Sequence, residues 1–270
     1  MENQQDQLSR LLYLMGRLRD PQTGCPWDLK QTFQTIVPHT LEEVYEVVDT
    51  IERGDYKHLK EELGDLLFQV VFYSQLGSEQ GLFDFNDVVM TLLHKLIVRH
   101  PHVFPDGTLE SERDEEAVTD ERQIKKTWES IKSSERKKKG EESVFSDVPA
   151  GFPALVRATK LQKRAATLGF DWPSIDGVMA KLDEETKELI AALDQSDPQA
   201  IEEELGDLMF TTVNLCRHLG VDAETSLRKS TQKFERRFRL VEESVQSSDQ
   251  TFDTTTLEEL EHYWNQAKQR

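Results

Sequence analysis

An acidic pattern that occurs twice constrains this chain more than any other feature. Residues 42–46 read E-E-x-x-E, fifteen residues follow, and residues 62–65 read E-x-x-D. Residues 184–188 and 204–207 repeat the pattern with the same spacer. Glu43 and Glu185, Glu46 and Glu188, Glu62 and Glu204, and Asp65 and Asp207 each lie 142 positions apart. A single ELGDL could recur by chance in a helical protein. Two acidic clusters at one spacing point instead to an internal duplication, with two domains of one fold.

The rest of the chain agrees with that division. Lys95 and Arg99 answer Lys233 and Arg237, and Trp128 and Lys132 answer Trp264 and Lys268, with small shifts that changes in loop length explain. Apolar residues such as Leu63, Leu66, Leu67, Val70 and Val71 recur at helical spacing. Strand signals are scarce. The expectation is an all-α protein of two tandem homologous helical bundles, of about four or five helices each. Residues 1–132 form the first and residues 152–270 the second. Between them, 133–151 (SSERKKKGEESVFSDVPAG) is charged, lacks an apolar period and reads as a linker.

Residues three or four apart share a helix face. Glu185 and Glu188 therefore point together, as do Glu204 and Asp207. The spacer is long enough to end one helix, turn at DQSDPQ and start another, with Asp197-Pro198 as the start signal. Two antiparallel helices would gather all four carboxylates. Leu182, Leu189, Ile190 and Leu193 on one helix, and Leu205, Leu208, Met209 and Thr212 on the other, predict a packed seam that the carboxylates flank. Four carboxylates at close range repel one another, and a hard divalent cation relieves the repulsion. Oxygen ligands alone suit Mg²⁺, with Mn²⁺ as a substitute, and offer nothing soft for zinc.

The formal net charge of −18 excludes a general affinity for nucleic acid or anionic membranes. A polyphosphate substrate would need a divalent cation and local Lys or Arg. No apolar run approaches a membrane span, and the N-terminus carries no secretory pattern. The two cysteines, Cys25 and Cys216, are far apart. A cytoplasmic protein without a disulfide framework is expected.

The acidic pattern, together with GCPWD, HPHVFPDG and KLQKRAATLGFDW, resembles the MazG family of nucleoside triphosphate pyrophosphohydrolases, within the all-α NTP pyrophosphatase superfamily. The likeness covers nearly the whole chain. It implies nucleoside triphosphate substrates, Mg²⁺ dependence, a homodimer, and a C-terminal repeat that carries most of the activity. Carried over, the metal ligands are Glu185, Glu188, Glu204 and Asp207, with Glu43, Glu46, Glu62 and Asp65 a possible second site. Lys181, Glu184, Lys233, Arg237, Trp264 and Lys268 match family positions that contact nucleotide. Glu203, Asp207 and Asn214 complete the expected substrate-binding set. The chain departs from the family at Ala200, where a Lys can stand.

In the mechanism so implied, attack at the α-phosphate releases pyrophosphate, with Glu184 or Glu185 as general base. Lys233 and Arg237 would take the β- and γ-phosphates, and Trp264 a base. Trp27 and Trp172 are assigned mainly to packing. Two differences set the halves apart: Lys181 aligns with His39, and Asn214 aligns with Phe72. The first repeat is therefore expected to be weak or mainly structural. The alternative to an enzyme is a Mg²⁺–nucleotide sensor or interaction scaffold that binds without turnover.

Overall fold

The computed structural model describes residues 2–113, 120–138, 143–248 and 250–269. Among them there are ten α-helices and no strand. The chain divides into two compact units, Met1–Lys132 and Ser133–Arg270. The first unit contains α1 (Glu2–Leu18), α2 (Phe33–Arg53), α3 (Tyr56–Glu79), α4 (Phe85–Arg99) and the start of α5 (Glu121–Lys138). The second contains α6 (Ala154–Ala166), α7 (Ile175–Gln195), α8 (Pro198–His218), α9 (Ala223–Ser247) and α10 (Leu257–Ala267).

Each acidic pattern sits on a helical hairpin closed by two residues. Gly54 ends α2 in the left-handed conformation (φ 70°), and the Asp55 side chain accepts from the His58 backbone N–H to start α3. In the second hairpin Ser196 ends α7 with φ 53°, and Asp197 caps α8 with Pro198 at its first position. An acceptor side chain at the N-cap satisfies an otherwise orphaned N–H, and proline there loses no helical bond. Connections this short force the paired helices to run antiparallel.

The seam differs from the one expected. On α7 the buried residues are Val178, Glu185 and Ala192, seven apart and hence on one stripe. Ile36 and Thr50 are buried at the equivalent positions of α2, flanking the half-buried Glu43. Ile190 (53 % exposed), Leu193 and Met209 (61 % exposed), expected in the seam, face outward. The cause is tertiary. Helix α7 packs on α8, and α6 and α9 also pack on α8, which leaves Ile190 and Leu193 of α7 exposed among the described residues.

The two interiors are filled differently. The first unit buries Met15, Ile36, Val71, Phe72 and Leu76 in one cluster. The second buries Val241, Val245 and Ala267 between α9 and α10, while Val178, Ala192 and Val213 are the small residues buried in the α7–α8 hairpin. The stretch expected to be a linker is helical over 133–138, where Glu, Arg and Lys are good helix formers. Its residues 139–142 lie outside the described residues.

Candidate active site

Helix α7 carries Lys181, Glu184, Glu185 and Glu188. Helix α8 carries Glu203, Glu204, Asp207, Asn214 and Arg217. The hairpin places one carboxylate oxygen from each of Glu185, Glu188 and Glu204 within 4.8 Å of one another. Asp207 lies outside this trio but lines the same site. Glu185 is only 3 % exposed, so this carboxylate lies inside the hairpin rather than on its edge, a correction to the expected open groove. Glu184, Glu188, Glu203 and Asp207 are exposed.

Burial pushes the Glu204 carboxyl above the usual carboxylate range, and the negative charges of Glu188, Glu185 and Asp207 push it further. Lys181 answers part of this field. Its Nζ lies 2.7 Å from Glu185 Oε1 and 2.7 Å from Glu184 Oε1, and the two partners hold the ammonium protonated well beyond the usual lysine range. The donor set is all oxygen, which fits a hard divalent cation and not a thiophilic one.

Beside the trio opens a cavity of about 640 Å³. Lys181, Glu185 and Asp207 line it on one side, and Asn214 and Arg217 lie along α8. Asn214 Oδ1 accepts from Arg217 at 2.8 Å, and Arg217 also holds Asp171 through both guanidinium nitrogens. The Arg217 guanidinium, helped by a hydrogen bond from His218, keeps the Asp171 carboxyl below its ordinary range against the opposing effect of burial.

Both acidic hairpins fall within regions that match a family model. The model of the MazG nucleotide pyrophosphohydrolase domain matches residues 31–104 and again 174–241. A nucleoside triphosphate pyrophosphohydrolase of Escherichia coli (strain K12) is 48 % identical over 267 residues, 98 % of each chain. The nucleoside triphosphate pyrophosphohydrolase/pyrophosphatase MazG of Thermotoga maritima is 42 % identical over 258 residues, 96 % of this chain and 94 % of that one. The chain belongs to the MazG family. It is accordingly a nucleotide pyrophosphohydrolase by class.

The first MazG repeat keeps the acidic trio but differs in what stands around it. Glu43, Glu46 and Glu62, like their counterparts, each place a carboxylate oxygen within 4.8 Å of the others. Burial and the surrounding carboxylates, Asp65 among them, raise both Glu43 and Glu62. His39 stands where Lys181 does and lies 3.7 Å from Glu42. Phe72, the counterpart of Asn214, is fully buried, with the Arg19 guanidinium over its ring at 5.3 Å. A phenyl ring thus fills the place where the second repeat has a small amide.

Of the expected substrate residues, Lys181, Asp207 and Asn214 line the cavity, whereas Glu184, Glu203, Lys233, Arg237, Trp264 and Lys268 do not. Lys233 and Arg237 are on α9, and Trp264 and Lys268 belong to the α10 end of the chain, which packs along α9. Trp264 packs on the Val241–Val245 cluster with its ring 5.3 Å from Phe234, as an apolar indole does when a core is within reach. Lys268 Nζ donates to Asn265 Oδ1 at 3.0 Å. Conversely, the spacing of the acidic pattern gave no hint of Gln162, Phe170, Asp171 or Trp172, which line the cavity. Trp172, assigned mainly to packing, is one of its walls.

Proposed function

We propose that the C-terminal unit hydrolyses nucleoside triphosphates at the α-phosphate to monophosphate and pyrophosphate, with Mg²⁺ bound by Glu185, Glu188, Glu204 and Asp207. Mn²⁺ would substitute. The observation that carries this reading is the convergence of Glu185, Glu188 and Glu204 within 4.8 Å at the edge of a substrate-sized cavity. When bound, the cation would neutralise phosphate charge and lower the pKa of a coordinated water.

The chain's own groups then have distinct tasks. Asp207, outside the close trio but at the same site, would be the fourth carboxylate available to the cation. Lys181, which pairs with Glu184 and Glu185, would be available to phosphate oxygens when a cation takes over the carboxylate charge. Arg157, also on the cavity wall, adds a second cation. Glu184, exposed and paired with Lys181, would accept a proton from the attacking water. The N-terminal unit has His39 in place of Lys181 and Phe72 in place of Asn214, so its role is weak or structural.

A homodimer would cover the outward apolar face of Ile190, Leu193 and Met209. Among the described residues no helix is long and apolar enough to cross a membrane. Cys25 and Cys216 are free thiols, which suits the cytoplasm.

The test is to incubate purified protein with each NTP, with and without Mg²⁺, and resolve the products. Monophosphate plus pyrophosphate only with metal is the expected result. Diphosphate plus orthophosphate would contradict attack at the α-phosphate, and binding without turnover would favour a sensor. Light scattering of the full chain tests the dimer.

A further inference from the structure

Helix α1 of the N-terminal unit packs on α3, with Met15 in the core and Leu11 and Leu12 against it. A second face of the same helix stays open. Gln7, Leu11, Leu14 and Leu18 follow one another at steps of four, three and four residues. Such steps make the a/d seam of a coiled coil, and Arg10 and Arg17 then both fall at its g positions. These residues line a groove of about 700 Å³. Leu14 is 48 % exposed, and Tyr13 beside it is 67 % exposed.

The groove has a built end. The Cys25 N–H donates to the Leu18 carbonyl at 2.8 Å, and the Gly24 N–H to the Asp20 carbonyl at 2.8 Å. The chain from Thr23 to Cys25 thereby folds back on the end of α1 and closes the groove there. The Asp20 carboxylate accepts from the N–H groups of Gln22 and Thr23 at 2.9 and 2.7 Å, which commits it to its own turn.

In a chain of net charge −18 this groove is locally cationic. Arg17 donates to the Tyr13 hydroxyl at 3.5 Å, and among the described residues neither Arg10 nor Arg17 forms an ion pair with a carboxylate. From Gln7 to Leu18 the groove runs about 16 Å along the helix, at 1.5 Å per residue. That is long for a simple anion and suits an amphipathic helix, whose apolar stripe takes the seam and whose flanking charges decide the partner. A second copy of α1 is a poor occupant. Antiparallel pairing would set g against g, arginine against arginine. Parallel pairing would set g against e, where Leu8 and the fully buried Met15 stand. The complement is a helix with apolar a/d residues and Asp or Glu beside them.

We infer that the α1 groove is a docking surface for an amphipathic helix with acidic flanks, carried by a different protein. Leu11, Leu14 and Leu18 supply the contact, and Arg10 and Arg17 select the partner.

The probe is a fluorescein-labelled synthetic helix of about three heptads with Leu at a and d and Glu at e and g, whose own charges oppose self-pairing. Its anisotropy is followed against the full chain and compared with that of a twin carrying Lys at e and g. The Glu peptide should bind at least about tenfold more tightly than the Lys peptide and lose that advantage at high salt. Arg10→Glu combined with Arg17→Glu should invert the preference, and Leu14→Asp should weaken the Glu peptide about tenfold. All three residues are exposed, and unchanged thermal melts check that the variants fold. No saturable binding of the Glu peptide, equal affinity for the two peptides, or indifference to the charge reversal would overturn the inference. Two further arms can also overturn it. A dimer that Leu14→Asp splits, seen by light scattering, would assign the groove to a second copy. Co-sedimentation with phosphatidylserine vesicles that the charge reversal abolishes would assign it to a membrane surface.

Discussion

Lys181 Nζ lies 2.7 Å from Oε1 of Glu185, the most buried carboxylate of the acidic trio. The ammonium thereby stabilises a charge that would otherwise stand uncompensated inside the hairpin. In the proposed site it also occupies an oxygen that the cation would take, so metal entry and release of Lys181 toward phosphate would be coupled. Lys181→Met should bind Mn²⁺ a few-fold more tightly without nucleotide, since a competing cation is gone. It should melt earlier than wild type in the metal-free state and recover with Mn²⁺, while KM for NTP rises about tenfold. Calorimetric titration and thermal melts check this; weaker Mn²⁺ binding in the variant would sink the idea.

The two repeats invite a paired test. Glu46 and Glu188 occupy equivalent positions in two trios whose carboxylate oxygens all lie within 4.8 Å of one another, so the comparison tests what surrounds each trio. Glu188→Ala should lower kcat at least about a hundredfold, in line with removal of a group that supports catalysis directly. Glu46→Ala should change it less than about twofold. Pyrophosphate release decides the matter, and equal losses would make the repeats functional equals.

Glu204 gives a pH prediction. Its folded-state pKa is raised, chiefly by burial and then by Glu188 and Glu185. A carboxyl raised on folding binds its proton more tightly in the native state. Without metal, stability therefore falls as pH rises from the ordinary value of 4.5 through the folded-state value, and the loss persists at neutral pH. Glu204→Gln should flatten that limb and melt at higher temperature than wild type in EDTA at neutral pH. It should gain less from Mg²⁺. The same proton competes with the cation, so wild-type Mg²⁺ affinity should weaken as pH falls through this range. Melts across pH with EDTA and with Mg²⁺ separate the two effects.

Much of this arrangement was legible in the sequence, because the acidic pattern encodes helix phase and hairpin length together. Asp197-Pro198 marked the start of α8 where the structure places it. Phe72 against Asn214 marked the difference between repeats before either interior was known. The burial of Glu185 was not legible. Periodicity gives the angle of a residue around its helix, but it does not say which side a third helix will cover. The large Ile190 and Leu193 drew the seam toward themselves, whereas the smaller Val178 and Ala192 allow the close approach that encloses Glu185. The place of Gln162 on the cavity wall was not legible for a related reason: it is held by the Phe210 carbonyl 48 residues away.

Gly177 supplies a last test of the cavity wall. It lies in the first turn of α7, and a Cβ built there would fall 2.0 Å from Trp172 Cδ1, with the indole Nε1 at 2.9 Å. The indole therefore rests directly on the helix backbone, and only glycine leaves room for it. Gly177→Ala gains about 1 kcal/mol of helix propensity, which works against any loss from displacing the ring, so the global melting temperature should move little. The function should move more. The displaced indole alters the cavity beside Lys181 and Glu185, and KM for the preferred NTP should rise about tenfold with a smaller change in kcat. Trp172→Phe, which keeps an apolar ring but removes the bulk above Gly177, should restore much of the affinity in the double variant. An unaltered KM in Gly177→Ala would show that the Trp172 wall takes no part in holding substrate.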